Sequence, residues 1–242
     1  MHKKISAILE RLRLNANTNI EEEKFPADTK VVVFFGGSGR VGKLLLTDIP
    51  ENVFVVNVSH RREVALPKVG NIKADLEHDD PKKILKKILR MTGRIDVLVF
   101  GAVAVSRRSL LAQTEEEMAR EYKINVWSAV LFLKACMPYF ISRGVTENQA
   151  RGRAVITFSS IITRHGVHHK RLDLGPYAAQ KSALEMSMRC LVHELGSSGI
   201  GSAILAPGQV VGDAYIQKVR EIFWKDVLSG GREGCAVDFI EG

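Results

Sequence analysis

Cysteine is scarce in this sequence. Three cysteines in 242 residues, Cys136, Cys190 and Cys235, stand far apart, so no C-x-x-C metal or redox pair exists and no disulfide framework is indicated. A reducing cytoplasm is the expected compartment. No uninterrupted apolar run approaches the ~18 residues of a membrane span, so none is expected. The first residues lack the continuous apolar core, at least ~7 residues long, of a secretory signal. Acidic residues are the minority charge: 27 Asp and Glu against 35 Lys and Arg leave a formal net charge of +8, which points to anionic partners. Aromatic side chains make up only 7% of the chain, and the basic residues neither follow one helix nor interleave with stacking rings. Nucleic-acid binding is therefore not expected.

What is present is enough apolar residue, 45%, to bury a full core. Residues 1–14 place Ile5, Ile8, Leu9 and Leu12 at helical spacing among Lys3, Lys4, Arg11 and Arg13. This reads as a short amphipathic helix that packs on the domain or on a partner subunit; Glu10 and Glu21 to Glu23 carry the wrong charge for a transit peptide. With the polar stretch that follows, it makes an N-terminal segment of residues 1–29 before a single domain of residues 30–242.

Residues 31–35 are a β-branched and aromatic run of the kind that forms a strand buried on both faces. It leads directly into Gly36, Gly37, Ser38, Gly39, Arg40, Val41 and Gly42, then three leucines. Strand, glycine loop and helix form the context in which G-x-G-x-x-G binds the pyrophosphate of a dinucleotide, because glycine lets backbone approach closely at a helix start. A second strand, 53–58, ends in Asn57, Val58, Ser59, His60, Arg61 and Arg62. No carboxylate is there to take a ribose 2'-hydroxyl, whereas Ser59, His60 and the arginines suit a 2'-phosphate, with Arg40 a further candidate; NADP(H) is the expected cofactor. The next strand, 71–74, follows with a short helix or none between, and Asp75 and Leu76 leave it beside the adenine. Residues 81–91 read as a helix. A fourth strand, 95–100, opens into Gly101, Ala102 and Val103, small enough for a ring system to lie on backbone. Thr114 and Glu117 form a capping box for a long helix, 115–141, that contains Asn125.

Residues 154–158 are another apolar strand, with Ser159 and Ser160 at its end, where open α/β sheets place ligands. Tyr177 and Lys181 are four residues apart and share one face of a helix running to about Leu195, with Gly196 as its stop. An ammonium beside a phenol favours the phenolate, which suits proton exchange with a substrate oxygen. Residues 200–206 form a sixth strand ending in Pro207, Gly208 and Val210. Residues 213–228, with Trp224, read as a helix over the substrate, and 235–240 as a last strand.

In this order, glycine loop, Asp-Leu, strand, helix Asn, strand-Ser-Ser, Y-x-x-x-K and Pro-Gly, the motifs resemble the short-chain dehydrogenase/reductase family over about three quarters of the chain. The resemblance implies a doubly wound Rossmann-like α/β domain, a central parallel sheet flanked by helices. It also implies hydride transfer between a nicotinamide and a carbonyl or secondary alcohol. It assigns a tetrad: Tyr177 exchanges the proton, Lys181 lowers its pKa and binds the nicotinamide ribose, Ser160 bonds the substrate oxygen, and Asn125 holds a water. By the same resemblance the helices 115–141 and 177–195 form a homodimer or homotetramer interface.

The chain departs from the family pattern in places. Phe35 and Arg40 replace the usual Thr and middle Gly of the loop, Phe100-Gly101-Ala102-Val103 stands for N-N-A-G, and Gly212 for a Thr. The Ser160 to Tyr177 separation exceeds the commonest family spacing by several residues. The longer loop carries Arg164, His165, His168, His169, Lys170 and Arg171, and Arg107 and Arg108 follow the fourth strand. Together they read as a cationic rim suited to an anionic or carrier-tethered substrate such as a 3-oxoacyl group. No metal is expected, since no cysteine or carboxylate converges on the histidines. Two other readings stay open: a catalytically silent NADP-binding sensor or scaffold of the same fold, and a nucleotide-sugar epimerase, for which the residues after Gly212 are too few.

Overall fold

The computed structural model describes residues 22–167, 169–195, 198–208, 212–231 and 235–240; the expected helix at 1–14, His168, Gly196 and Val210 lie outside them. From the first strand, β1 (Lys30–Phe35), the chain passes through α1 (Arg40–Leu46), β2 (Val53–Ser59), β3 (Val69–Lys73), α2 (Pro81–Thr92) and β4 (Val97–Phe100). The second half runs through α3 (Glu115–Tyr122), α4 (Ser128–Arg143), α5 (Val145–Ala150), β5 (Ala154–Phe158), α6 (Ile162–His165), α7 (Gly175–Leu195), β6 (Gly201–Pro207), α8 (Asp213–Ser229) and β7 (Cys235–Ile240). A π-helical turn, Lys123–Trp127, joins α3 to α4. No helix separates β2 from β3, as the short intervening sequence requires.

Every strand pair is parallel, in the order β3-β2-β1-β4-β5-β6-β7. Sheet residues alternate between two cores. Val33, Phe35, Val56 and Leu98 face Ile84 and Ile88 of α2, Phe132 of α4 and Leu184 of α7. Val32, Phe34, Val55 and Val99 face Leu45 and Leu46 of α1 and Phe223 of α8. Each such side chain is fully shielded, contributing about 1.5–3 kcal/mol by removal from water. With helices on both faces, the fold is a single Rossmann-like α/β domain, and the strand order reverses between β1 and β4, where such sheets open a ligand crevice at their carboxyl ends.

Local signals fix the helix ends. Thr114 accepts from the Glu117 amide while Glu117 accepts from the Thr114 amide, the expected capping box. Asp80 caps α2 ahead of Pro81, and Gly93, in the left-handed region at φ 75°, closes it through its N–H to the Leu89 carbonyl at 2.7 Å. At the opposite end of the sheet Arg94, fully buried, ties the segment before β1 to the domain. It donates to Asp96 and Glu23 and to the Phe25 and Pro26 carbonyls.

Two expectations need correcting. The helix expected over the substrate, α8, is a core element: Tyr215, Val219, Phe223 and Val227 recur every fourth residue and are buried, and the Trp224 ring nitrogen donates to the Leu45 carbonyl at 3.2 Å. A stripe of that kind gains more by facing the sheet than by standing at a rim. The expectation that no stretch is suited to a membrane also changes, because α3, the π turn and α4 together, Glu115–Arg143, are long and apolar enough to cross one. Over half of that window is buried within the fold, the pattern of a core helix.

Candidate active site

A crevice of about 560 Å³ opens at the carboxyl ends of β1, β2, β3 and β4. Gly36, Ser38 and Gly39 form one wall, Ser59, His60, Arg61 and Arg62 a second, Asp75 and Leu76 a third, and Gly101, Ala102 and Val103 a fourth. A recess of about 150 Å³ meets it through Gly101 and Val103, lined also by Val41, Gly42, Ser160, Tyr177, Lys181, Pro207 and Gly208. All the proposed dinucleotide residues within the described chain therefore converge except Arg40, which is exposed at the start of α1 and lines neither space.

The donors and the shape suit a nicotinamide dinucleotide. Gly36 has φ +85°, and a Cβ there would lie 2.7 Å from Ala102 Cα; a Cβ on Gly42 would lie 2.5 Å from the Gly37 oxygen. Only glycine allows the loop to fold this tightly against the end of β4. Among the described residues no carboxylate pairs with Arg61 or Arg62, while the Ser59 hydroxyl donates to the Arg62 carbonyl and holds that turn in place. Asp75 accepts from the Glu77 amide at 2.9 Å and lies 3.2 Å from His78 and 3.6 Å from His60. Burial works to raise its pKa, but the Glu77 amide and the two imidazoles outweigh it and hold the carboxyl below its usual value.

In the recess the two serines part company. Ser159 donates to the Glu185 carboxylate at 3.0 Å, whereas Ser160 lines the recess beside Tyr177. Burial pushes the Tyr177 phenol up, and the nearby Ser160 hydroxyl and the charge of Arg107 pull it back. Lys181, expected to lower that pKa, instead donates to the Phe158 carbonyl at 2.6 Å, with its nitrogen 5.8 Å from the phenol ring centroid. Burial brings the Lys181 pKa down to about 8.

Asn125 lines neither space. It sits in the π turn, where the Ser128 amide reaches back five residues to the Lys123 carbonyl. Its side chain clamps Ala104 in both directions, accepting from the amide at 2.7 Å and donating to the carbonyl at 2.8 Å, and donates to Gln180 at 2.5 Å. Gln180 in turn donates to buried Glu121, which also receives Gln113 and the Ser106 amide. Sequence reasoning missed Glu121, Gln180 and Glu185; the one available signal was that Glu185 and Gln180 flank Lys181 on the same helix. The outer rim is paired: Arg107 and Arg171 share Asp173, and Arg108 bonds Glu117.

A family model for short chain dehydrogenase matches residues 42–221. Dehydrogenase/reductase SDR family member 4 of Sus scrofa is 26% identical, over 91% of this chain and 82% of its own length. Among solved structures, 3-ketoacyl-(acyl-carrier-protein) reductase from Brucella melitensis, complexed with NADH, superposes with a TM-score of 0.75 at 16% identity, covering 90% of this chain and 98% of that one. The RhlG/NADP active-site complex of Pseudomonas aeruginosa gives 0.73 at 18% identity, covering 90% and 98%. The chain belongs to the short-chain dehydrogenases, oxidoreductases that act on carbonyls or alcohols with a nicotinamide dinucleotide.

Proposed function

We propose that this protein is an NADP(H)-dependent reductase or dehydrogenase in which Tyr177 exchanges a proton with the substrate oxygen. The observation that carries the reading is that Ser160, Tyr177 and Lys181 line one recess that opens onto the dinucleotide crevice through Gly101 and Val103. When bound, the nicotinamide supplies or accepts the hydride. Tyr177 donates its proton to the oxygen in reduction and takes it back in oxidation, and Ser160 donates to the same oxygen as charge develops there. With a pKa near 8, Lys181 exchanges its own proton close to neutral pH and, by family resemblance, holds the nicotinamide ribose. Asn125 positions this end of the fold, and the clamp on Ala104 supports that role.

Preference for the 2'-phosphate is supported by Arg61 and Arg62 on the crevice wall. The relatives include complexes with NADH and with NADP, so the local residues carry this point. A carbonyl substrate with an anionic or carrier-borne end, of 3-oxoacyl type, fits the basic rim. Assembly into a homodimer or homotetramer belongs to the same reading, supported by exposed Trp127, Leu131 and Met186 on the helical face. Following reduced-nicotinamide absorbance over a panel of ketones tests the activity: turnover with NADPH supports it, and none across ketones, 3-oxoacyl esters and quinones contradicts it.

A further inference from the structure

The loop after β4 and the turn before α7, which leads into Tyr177, meet each other. Arg107 donates to Asp173 at 3.1 Å, and Asp173 also receives Arg171 at 3.3 Å. Close by, Gly175 packs on Leu110, whose Cγ would lie 3.3 Å from a Cβ at the glycine, two residues before Tyr177. Arg107 therefore lies near enough to Tyr177 for its charge to be one of the two influences that pull the phenol's pKa back down.

Three features of this mouth point to a ligand. Arg107 has φ 59°, a conformation that residues other than glycine seldom adopt and that recurs at binding sites. One carboxylate serves two guanidinium groups, which leaves a positive charge over, and both arginines are more than half exposed. An ion pair this open gives way at little cost. In the same two segments Val103, Leu110, Leu111 and Leu172 are each at least half exposed, an apolar collar beside the charge.

We infer that Arg107 is the docking point for the anionic end of an amphipathic substrate, with Asp173 as an internal stand-in that the substrate displaces. The ligand class is an apolar chain ending in a carboxylate or phosphate, with its carbonyl directed into the recess. The chain lies along the collar, and the guanidinium changes partner from Asp173 to the incoming oxygens, a fork geometry that Arg shares with both groups. The inference rests on the proposed role of Tyr177 only for where the carbonyl goes.

The pair makes opposite predictions for its two members. Octanoate, octyl phosphate and 1-octanol are titrated into the enzyme saturated with NADP+, and binding is measured by calorimetry. Arg107→Gln should weaken octanoate and octyl phosphate at least tenfold, and Asp173→Asn should tighten both severalfold. Neither change should alter 1-octanol, and Leu111→Ser should weaken all three. If octanoate and octyl phosphate bind wild type no better than 1-octanol, or bind Arg107→Gln equally well, the assignment is overturned. If Asp173→Asn weakens them as Arg107→Gln does, the pair is a structural clasp and the inference fails. A substrate borne by a carrier, whose acyl end has no charge, would give the Arg107-independent result. Tyr177→Phe should leave octanoate binding unchanged, so failure here is separable from failure of the proton-transfer reading.

Discussion

The Lys181 ammonium donates to the Phe158 carbonyl at 2.6 Å, so the end of β5 and the first turns of α7 are joined by one buried cation. Burial lowers its pKa from 10.5 to about 8. Between these values the unfolded chain binds more protons than the folded one, and stability rises with pH; below about 8 the folded protein bears the full cost of a buried charge. Lys181→Met should therefore abolish turnover yet raise stability at pH 7 by of the order of 1–3 kcal/mol, an advantage that shrinks toward pH 10. Urea denaturation of both proteins at the two pH values checks it; a variant less stable at pH 7 would show that the bond to Phe158 outweighs desolvation.

The basic wall of the crevice should choose the cofactor. Replacing Arg61 and Arg62 together by Gln should weaken NADPH by roughly ten- to a hundredfold, since a hydrogen bond to a charged group contributes about 1.5–3 kcal/mol. NADH affinity should be nearly unchanged. Fluorescence titration with the two dinucleotides decides this, and equal losses would mean that the arginines do not meet a phosphate.

Much of this architecture is legible in the sequence, for identifiable reasons. The run 31–35 has no polar residue, and all five side chains are buried. The glycines announce the loop because a Cβ on Gly36 or Gly42 meets backbone, a constraint local enough to be written in the sequence. Tyr177 and Lys181 follow from helical spacing. What could not be read depends on contacts between distant segments. Lys181 finds Phe158, 23 residues away, and Asn125 finds Gln180, 55 residues away. Glu121 looks like one more acid on a charged helix, yet it is buried under three donors from two other segments. The apolar stripe of α8 is visible in the sequence, but which surface it covers is not, and Trp224 belongs to the core.

The exposed helical face carries a prediction about assembly. Trp127 is 51% exposed and Met186 61%, both on the helices proposed to pair. Trp127→Glu combined with Met186→Glu should convert the oligomer to a monomer in sedimentation velocity with little change in the circular dichroism of the fold. A wild-type protein that sediments as a monomer at high concentration would contradict the proposed pairing.

The central claim is that one phenolic oxygen trades the proton while the rest of the site holds cofactor and substrate. The most direct measurement pairs turnover with dinucleotide affinity in Tyr177→Phe, which removes that oxygen and little else. Turnover should fall by about 10²–10⁴, with NADPH affinity within about twofold of wild type. Undiminished turnover in a folded variant would contradict the account and leave the proton to another group.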